Sequence, residues 1–114
     1  MNNPSSFLYN EEMALRELME VKANVMEKVK RFLSERDYKA VAVTIVEMEH
    51  YIEVVESIAI ELRLKGQLHY GVYRTFIEGL AKIIDSILKY VENCGPEAME
   101  KVRFEYHRLK YQQV

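Results

Sequence analysis

The sequence predicts an all-α protein, an antiparallel up-down four-helix bundle with three long helices and one short C-terminal helix. Three observations carry this. Apolar residues recur every three or four positions over long stretches, the period of a helix that buries one face. Only 4 glycines and 2 prolines occur in 114 residues, so turns are few and the elements between them are long. The breaks are short, and helices joined by short links reverse direction.

The totals bound the class. At 114 residues, 49% hydrophobic and 30% charged, the chain suits a single domain with one modest core and is too apolar for disorder. A net charge of −2 gives no global attraction to nucleic acid or to an anionic membrane. Cys94 stands alone, which excludes an internal disulfide or a cysteine metal cluster and fits a cytoplasmic setting. The first residues lack a basic stretch followed by an apolar one, so no signal peptide is expected. No apolar run reaches the length of a membrane span.

Residues 1–9 read as a polar lead-in before the first helix. Asn10 is the expected N-cap, with Glu11 and Glu12 at the positive end of the helix dipole. Leu15, Leu18, Val21, Val25, Val29, Phe32 and Leu33 then form the stripe, widened by Ala14 and Met26, and the helix runs to about Ser34. The break Ser34–Asp37 holds neither Gly nor Pro. Asp37 caps a second helix that ends at Lys65, with Gly66 supplying the left-handed residue beyond it. The third helix spans about Leu68 to Asn93, with His69, Tyr73, Phe76, Leu80, Ile83, Ile87 and Val91 on one face. Gly79 and Gly71 mark places where another helix comes close. Gly95 and Pro96 stop one helix and start the next. The fourth runs from Glu97 to about Gln112, with a narrow stripe of Met99, Val102, Tyr106 and Leu109.

The second helix is apolar on two sides. Val41, Thr44, Ile45, Met48, Ile52, Val55, Ala59 and Leu62 form the core face. A second stripe steps through Val43, Val46, His50, Glu53, Ser57, Ile60 and Leu64. A short fourth helix covers only part of it, and contiguous apolar surface marks an interaction site. The expected role is therefore a non-enzymatic interaction or assembly module. It is a homodimer through helix two, or one subunit of a larger complex, with His50 and Glu53 setting register.

Two other constellations define alternatives. Lys28, Lys30, Arg31, Arg36 and Lys39 cluster around the first turn, and Lys101, Arg103, Arg108 and Lys110 make helix four locally basic. With eight tyrosines in the chain, these form a candidate surface for tracking phosphates and stacking bases. Arg63 and His69, five residues between them, resemble the Arg–His motif of HEPN ribonucleases, small helical proteins that dimerise. The resemblance implies that Arg63 stabilises charge on the scissile phosphate and that His69 acts as acid or base. Leu64 stands where that motif has a polar residue, and Gly71 where it has a tyrosine.

Glu47 and His50 form one Glu-x-x-His, half of what a di-iron carboxylate bundle needs, and both point away from the core face. No Gly-rich phosphate loop and no nucleophile triad is present. No metal and no cofactor are expected.

Overall fold

The computed structural model describes residues 7–111. Four helices follow one another: α1 Glu11–Ser34, α2 Tyr38–Leu64, α3 Tyr70–Asn93 and α4 Pro96–Tyr111. Among the described residues there is no strand. Leu18 meets Gly79 and Lys30 lies over Tyr90, so α1 and α3 run parallel. Lys101 lies over Tyr38 and Tyr106 meets Glu49, so α4 runs parallel to α2. Successive helices are antiparallel. The α1–α2 turn, the end of α3 and the start of α4 therefore share one end of the bundle, called here the upper end.

The helix ends follow from local chemistry. Asn10 Oδ1 accepts from the Met13 amide and Asp37 Oδ1 from the Ala40 amide, each at 3.1 Å. These bonds satisfy two of the orphan amides at the helix starts. The α1–α2 break is made by Arg36 in the left-handed region, φ 56°. Around it the Asp37 amide donates to Phe32 O at 2.8 Å and the Arg36 amide to Leu33 O at 3.1 Å, the Schellman pattern. Gly66, φ 68°, does the same after α2, where the Gln67 amide donates to Leu62 O at 2.8 Å. Pro96 opens α4, where its missing amide costs nothing. The fourth helix is described as far as Tyr111; an end at Gln112 lies outside the described residues.

Val41, Ile45, Met48, Val55, Phe76, Leu80, Ile87, Val91 and Val102 form the centre of the core. Each fully buried aliphatic or aromatic side chain stabilises the fold by about 1.5–3 kcal/mol. Thr44, 6% exposed, is the polar residue buried among them. Its hydroxyl donates to Ala40 O at 2.8 Å, so no polar group is left unsatisfied there.

Four sequence expectations shift. Residues 7–9 are not a bare lead-in: Leu8 is fully buried, and Phe7 stacks on Phe76 with centroids 5.8 Å apart. The rest of that segment, residues 1–6, lies outside the described residues. Leu15, read as a stripe residue, is 46% exposed, because Ala14 and Val29 occupy the inner side of α1. His69 is not on the buried face of α3. The helix starts at Tyr70, two residues after the expected Leu68, and His69 sits exposed at its N-cap without a side-chain capping bond. Of the two helical glycines, Gly79 faces Leu18 closely while Gly71 has open space around it.

Candidate functional site

The two-sided character of α2 resolves along its length. In its upper half, Ala42 and Ile45 are buried, and Val102 of α4 belongs to the same core cluster as Ile45. One turn below Ile45, the Tyr106 hydroxyl donates to both oxygens of Glu49, at 2.7 and 2.9 Å, and Lys110 Nζ lies 3.5 Å from the same carboxylate. Burial and the neighbouring carboxylate push the Tyr106 hydroxyl up to about 12. Below this point the flank opens. Val54 is 37% exposed, Ile60 54% and Leu64 79%, and Tyr70 at the start of α3 is 65% exposed.

The second stripe therefore has two fates. Val43 and Val46 are half-buried, and Val43 lines a groove against α1 with Phe32 and Asp37. His50, Glu53, Ser57, Ile60 and Leu64 are exposed. Ile60 forms one wall of a shallow groove of about 390 Å³ together with Glu56, Ala59, Arg63, Leu68 and the ring-bearing Tyr70 and Tyr73. Tyr73, read on the apolar face of the third helix, is half-buried at the edge of this surface, while Tyr70 came into it unannounced by periodicity, because α3 lies alongside α2 only after the Gly66 turn reverses the chain. Burial, Glu56 and Tyr70 together push the Tyr73 hydroxyl upward.

Arg63 lines that groove, but His69 does not. The His69 ring meets Tyr9 edge-on, centroids 5.5 Å apart. The Arg–His pair thus belongs to two different surroundings in this chain. Glu47 and His50 are both exposed, and no three His, Cys, Asp or Glu side chains converge as a metal site among the described residues.

The basic residues divide over several surfaces. Lys28, Arg31 and Lys39 line the α1–α2 groove, in company with Asp37 and Glu47. Arg31 also lies over the Phe32 ring. Arg103 lines a cleft between α3 and α4 beside Glu92 and His107. Lys101 pairs with Glu97 at 2.9 Å, Arg108 with Glu105 at 3.2 Å, and Lys110 with Glu49. The Lys101–Glu97 bond raises the lysine's affinity for its proton and lowers that of the carboxylate. Arg36 is close enough for its charge to act on both. Arg36, Tyr38 and Lys101 are thus brought together at the upper end; Lys30 faces the other way, towards α3.

That other side holds a surface the sequence reading missed. Where α1 and α3 run parallel, a groove of about 600 Å³ is lined by Met19, Lys22, Met26, Lys30, Lys89 and Tyr90, with Ala23, Ser86 and Asn93. It continues through Met19, Lys22 and Ser86 into a second stretch with Leu15, Leu18, Gly79 and Lys82. No carboxylate lines either stretch. Among the described residues, Lys22, Lys30, Lys82 and Lys89 have no carboxylate partner within 4.0 Å, while Lys30 lies over the Tyr90 ring at 5.5 Å. Each lysine looks ordinary on its own helix. The four become one cationic rim only when the two helices pair.

No helix of the described residues is long and apolar enough to cross a membrane. Compared with protein-family models, with curated proteins and with solved structures, the chain matches none.

Proposed function

We propose that this chain is a non-enzymatic helical assembly module of the cytoplasm that self-associates through the lower half of α2. The observation that carries this is the groove lined by Ile60, Ala59, Leu68, Tyr70 and Tyr73, with Leu64 exposed beside it; among the described residues no side chain of α1 or α4 lines it. Burying such side chains on a partner stabilises the contact by roughly 1–2 kcal/mol each, given that they are already partly covered.

A second copy of the chain is the occupant this face fits. Its charges are mixed: Glu56 and Arg63 both line the groove, and Glu53 lies two turns above Ile60 on the same side of α2. An isologous contact places a surface against itself, and mixed signs permit that where a single sign repels. A standard interface takes in ~800 Å² per partner, so the contact includes the polar neighbours Glu53, Ser57 and Arg63 along with the apolar side chains. The same face would serve equally against another subunit of a larger complex.

A second reading, nucleic-acid contact at the upper end, draws on Arg36, Tyr38 and Lys101 meeting there. It is weakened by the glutamates that pair with Lys101, Arg108 and Lys110, because a paired lysine releases fewer counterions on a phosphate.

Light scattering on a sizing column decides the first reading. The expected result is a dimer mass that persists at high salt and falls to the monomer in Ile60→Lys, with the thermal midpoint of the monomer unchanged. A monomer at every concentration and salt, or a dimer untouched by Ile60→Lys, would overturn it.

A further inference from the structure

We propose that the groove between α1 and α3 is a docking site for an acidic amphipathic helix of another protein. The groove combines an apolar floor with a lining whose charged side chains are all lysine; Glu78 and Asp85 stand one turn from Lys82 and Lys89, outside that lining. Leu15 and Met19, 46% and 73% exposed, and the half-buried Leu18 and Met26 supply the floor. Methionine is unbranched and polarisable, and suits surfaces that adapt to a partner helix. Lys22 and Lys30 stand on the α1 side, Lys82 and Lys89 on the α3 side.

The spacing fits a helix rather than a strand or a loop. On α1, Met19 and Met26 lie seven residues apart. On α3, Gly79, Ser86 and Asn93 repeat at seven, and so do Lys82 and Lys89. A seven-residue repeat keeps the same face towards a third helix laid along the groove. Ser86 is small and lets that helix sit low, while at Gly79 the Leu18 side chain of α1 fills the space and adds to the apolar floor. From Gly79 to Asn93 the groove runs about 21 Å, room for roughly four turns. The occupant is then a helix with an apolar stripe and carboxylates two turns apart on either flank, facing the lysines. That is helix-in-groove recognition with charge setting the partner.

Charge also separates this site from the α2 face. A second copy of the chain would bring its own lysines to an equivalent groove, so self-docking groove to groove is disfavoured. The site does not rest on self-association, and Ile60→Lys leaves it intact.

The test uses the full chain and a fluorescein-labelled synthetic helix of three heptads, with leucine at the two core positions and glutamate on the flanks. Fluorescence anisotropy is read at low and high salt. Binding is expected with a Kd of about 10 µM at low salt, weakened about tenfold for each charge reversal in Lys22→Glu and Lys89→Glu. Lys65→Glu, at the far end of α2, and Ile60→Lys should leave it within about twofold. The peptide should gain helical circular dichroism on binding. A scrambled peptide of the same composition that binds equally well would overturn the proposal, since charge alone would then suffice. No binding at about 1 mM peptide would also overturn it. So would capture by phosphatidylglycerol vesicles or by RNA, lost in the two reversals, where the peptide does not bind. A mass that falls in the two reversals without peptide binding would assign the groove to a second copy instead.

Discussion

The Tyr106 hydroxyl of α4 donates to the Glu49 carboxylate of α2 at 2.7 Å, three turns above the exposed Ile60. It ties the short fourth helix to the central one at a point where apolar packing thins out.

Tyr106→Phe removes that bond and keeps the ring. A hydrogen bond to a charged group contributes about 1.5–3 kcal/mol when buried; partial exposure reduces the expected loss to about 1 kcal/mol, read from urea unfolding. The bond also sets a pH dependence. Tyr106 and Tyr51 are both raised to about 12 in the folded chain, above the ~10 of an unfolded tyrosine. The folded state therefore holds these protons after the unfolded state has released them. Their contribution is fully present below pH ~10 and is lost as pH rises through about 12. The urea midpoint should fall over that window, and Tyr106→Phe should make the fall shallower.

Phe7 and Leu15 should rank opposite to their places in the sequence pattern. Phe7→Ala opens a cavity beside Phe76 and is expected to cost about 3–4 kcal/mol. Leu15→Ala removes a side chain already half in water and should cost under about 1 kcal/mol. Equilibrium unfolding of both variants checks the order; a mild Phe7→Ala would mean that the segment before Asn10 is not part of the core.

Gly79 is needed for the approach of α1 to α3. A Cβ at that position would overlap the Leu18 side chain. Gly79→Val should destabilise by about 2 kcal/mol, the cost of overpacking. In a double-mutant cycle with Leu18→Ala the two losses should fall short of additive by about 1 kcal/mol or more, because removing the Leu18 methyls makes room for the valine.

Arg36 holds a left-handed conformation, φ 56°, that glycine adopts without strain. Arg36→Gly is expected to stabilise the chain by about 0.5–1 kcal/mol, a rise of about 2–6 °C in Tm. A lower Tm would show that the Arg36 side chain, near Glu97 and Lys101, contributes more than its backbone strain costs.

Legibility along the chain followed the strength of local signals. Asn10, Asp37, Gly66 and Pro96 act where their side-chain or backbone chemistry says they should, so the four helices were readable to within a few residues. The Arg36 turn was less so, because any residue can be forced left-handed when the flanking carbonyls are satisfied. His69 and Leu15 were misplaced on buried faces, since periodicity locates a stripe but not its edges. Phe7 and Leu8 went unread because an irregular segment has no period to betray burial.

What the amino-acid sequence determined by itself is the all-α class, the number of helices, their order and their caps. These depend on interactions between residues a few positions apart. What only the tertiary structure decided is which surfaces those helices leave open. The lysines of α1 and α3 become one groove, and Ile60, Leu64 and Tyr70 remain uncovered, only once distant stretches are set side by side. Such adjacency depends on how side chains interlock across helices, as Leu18 does against Gly79, and the pattern along any one helix does not contain it.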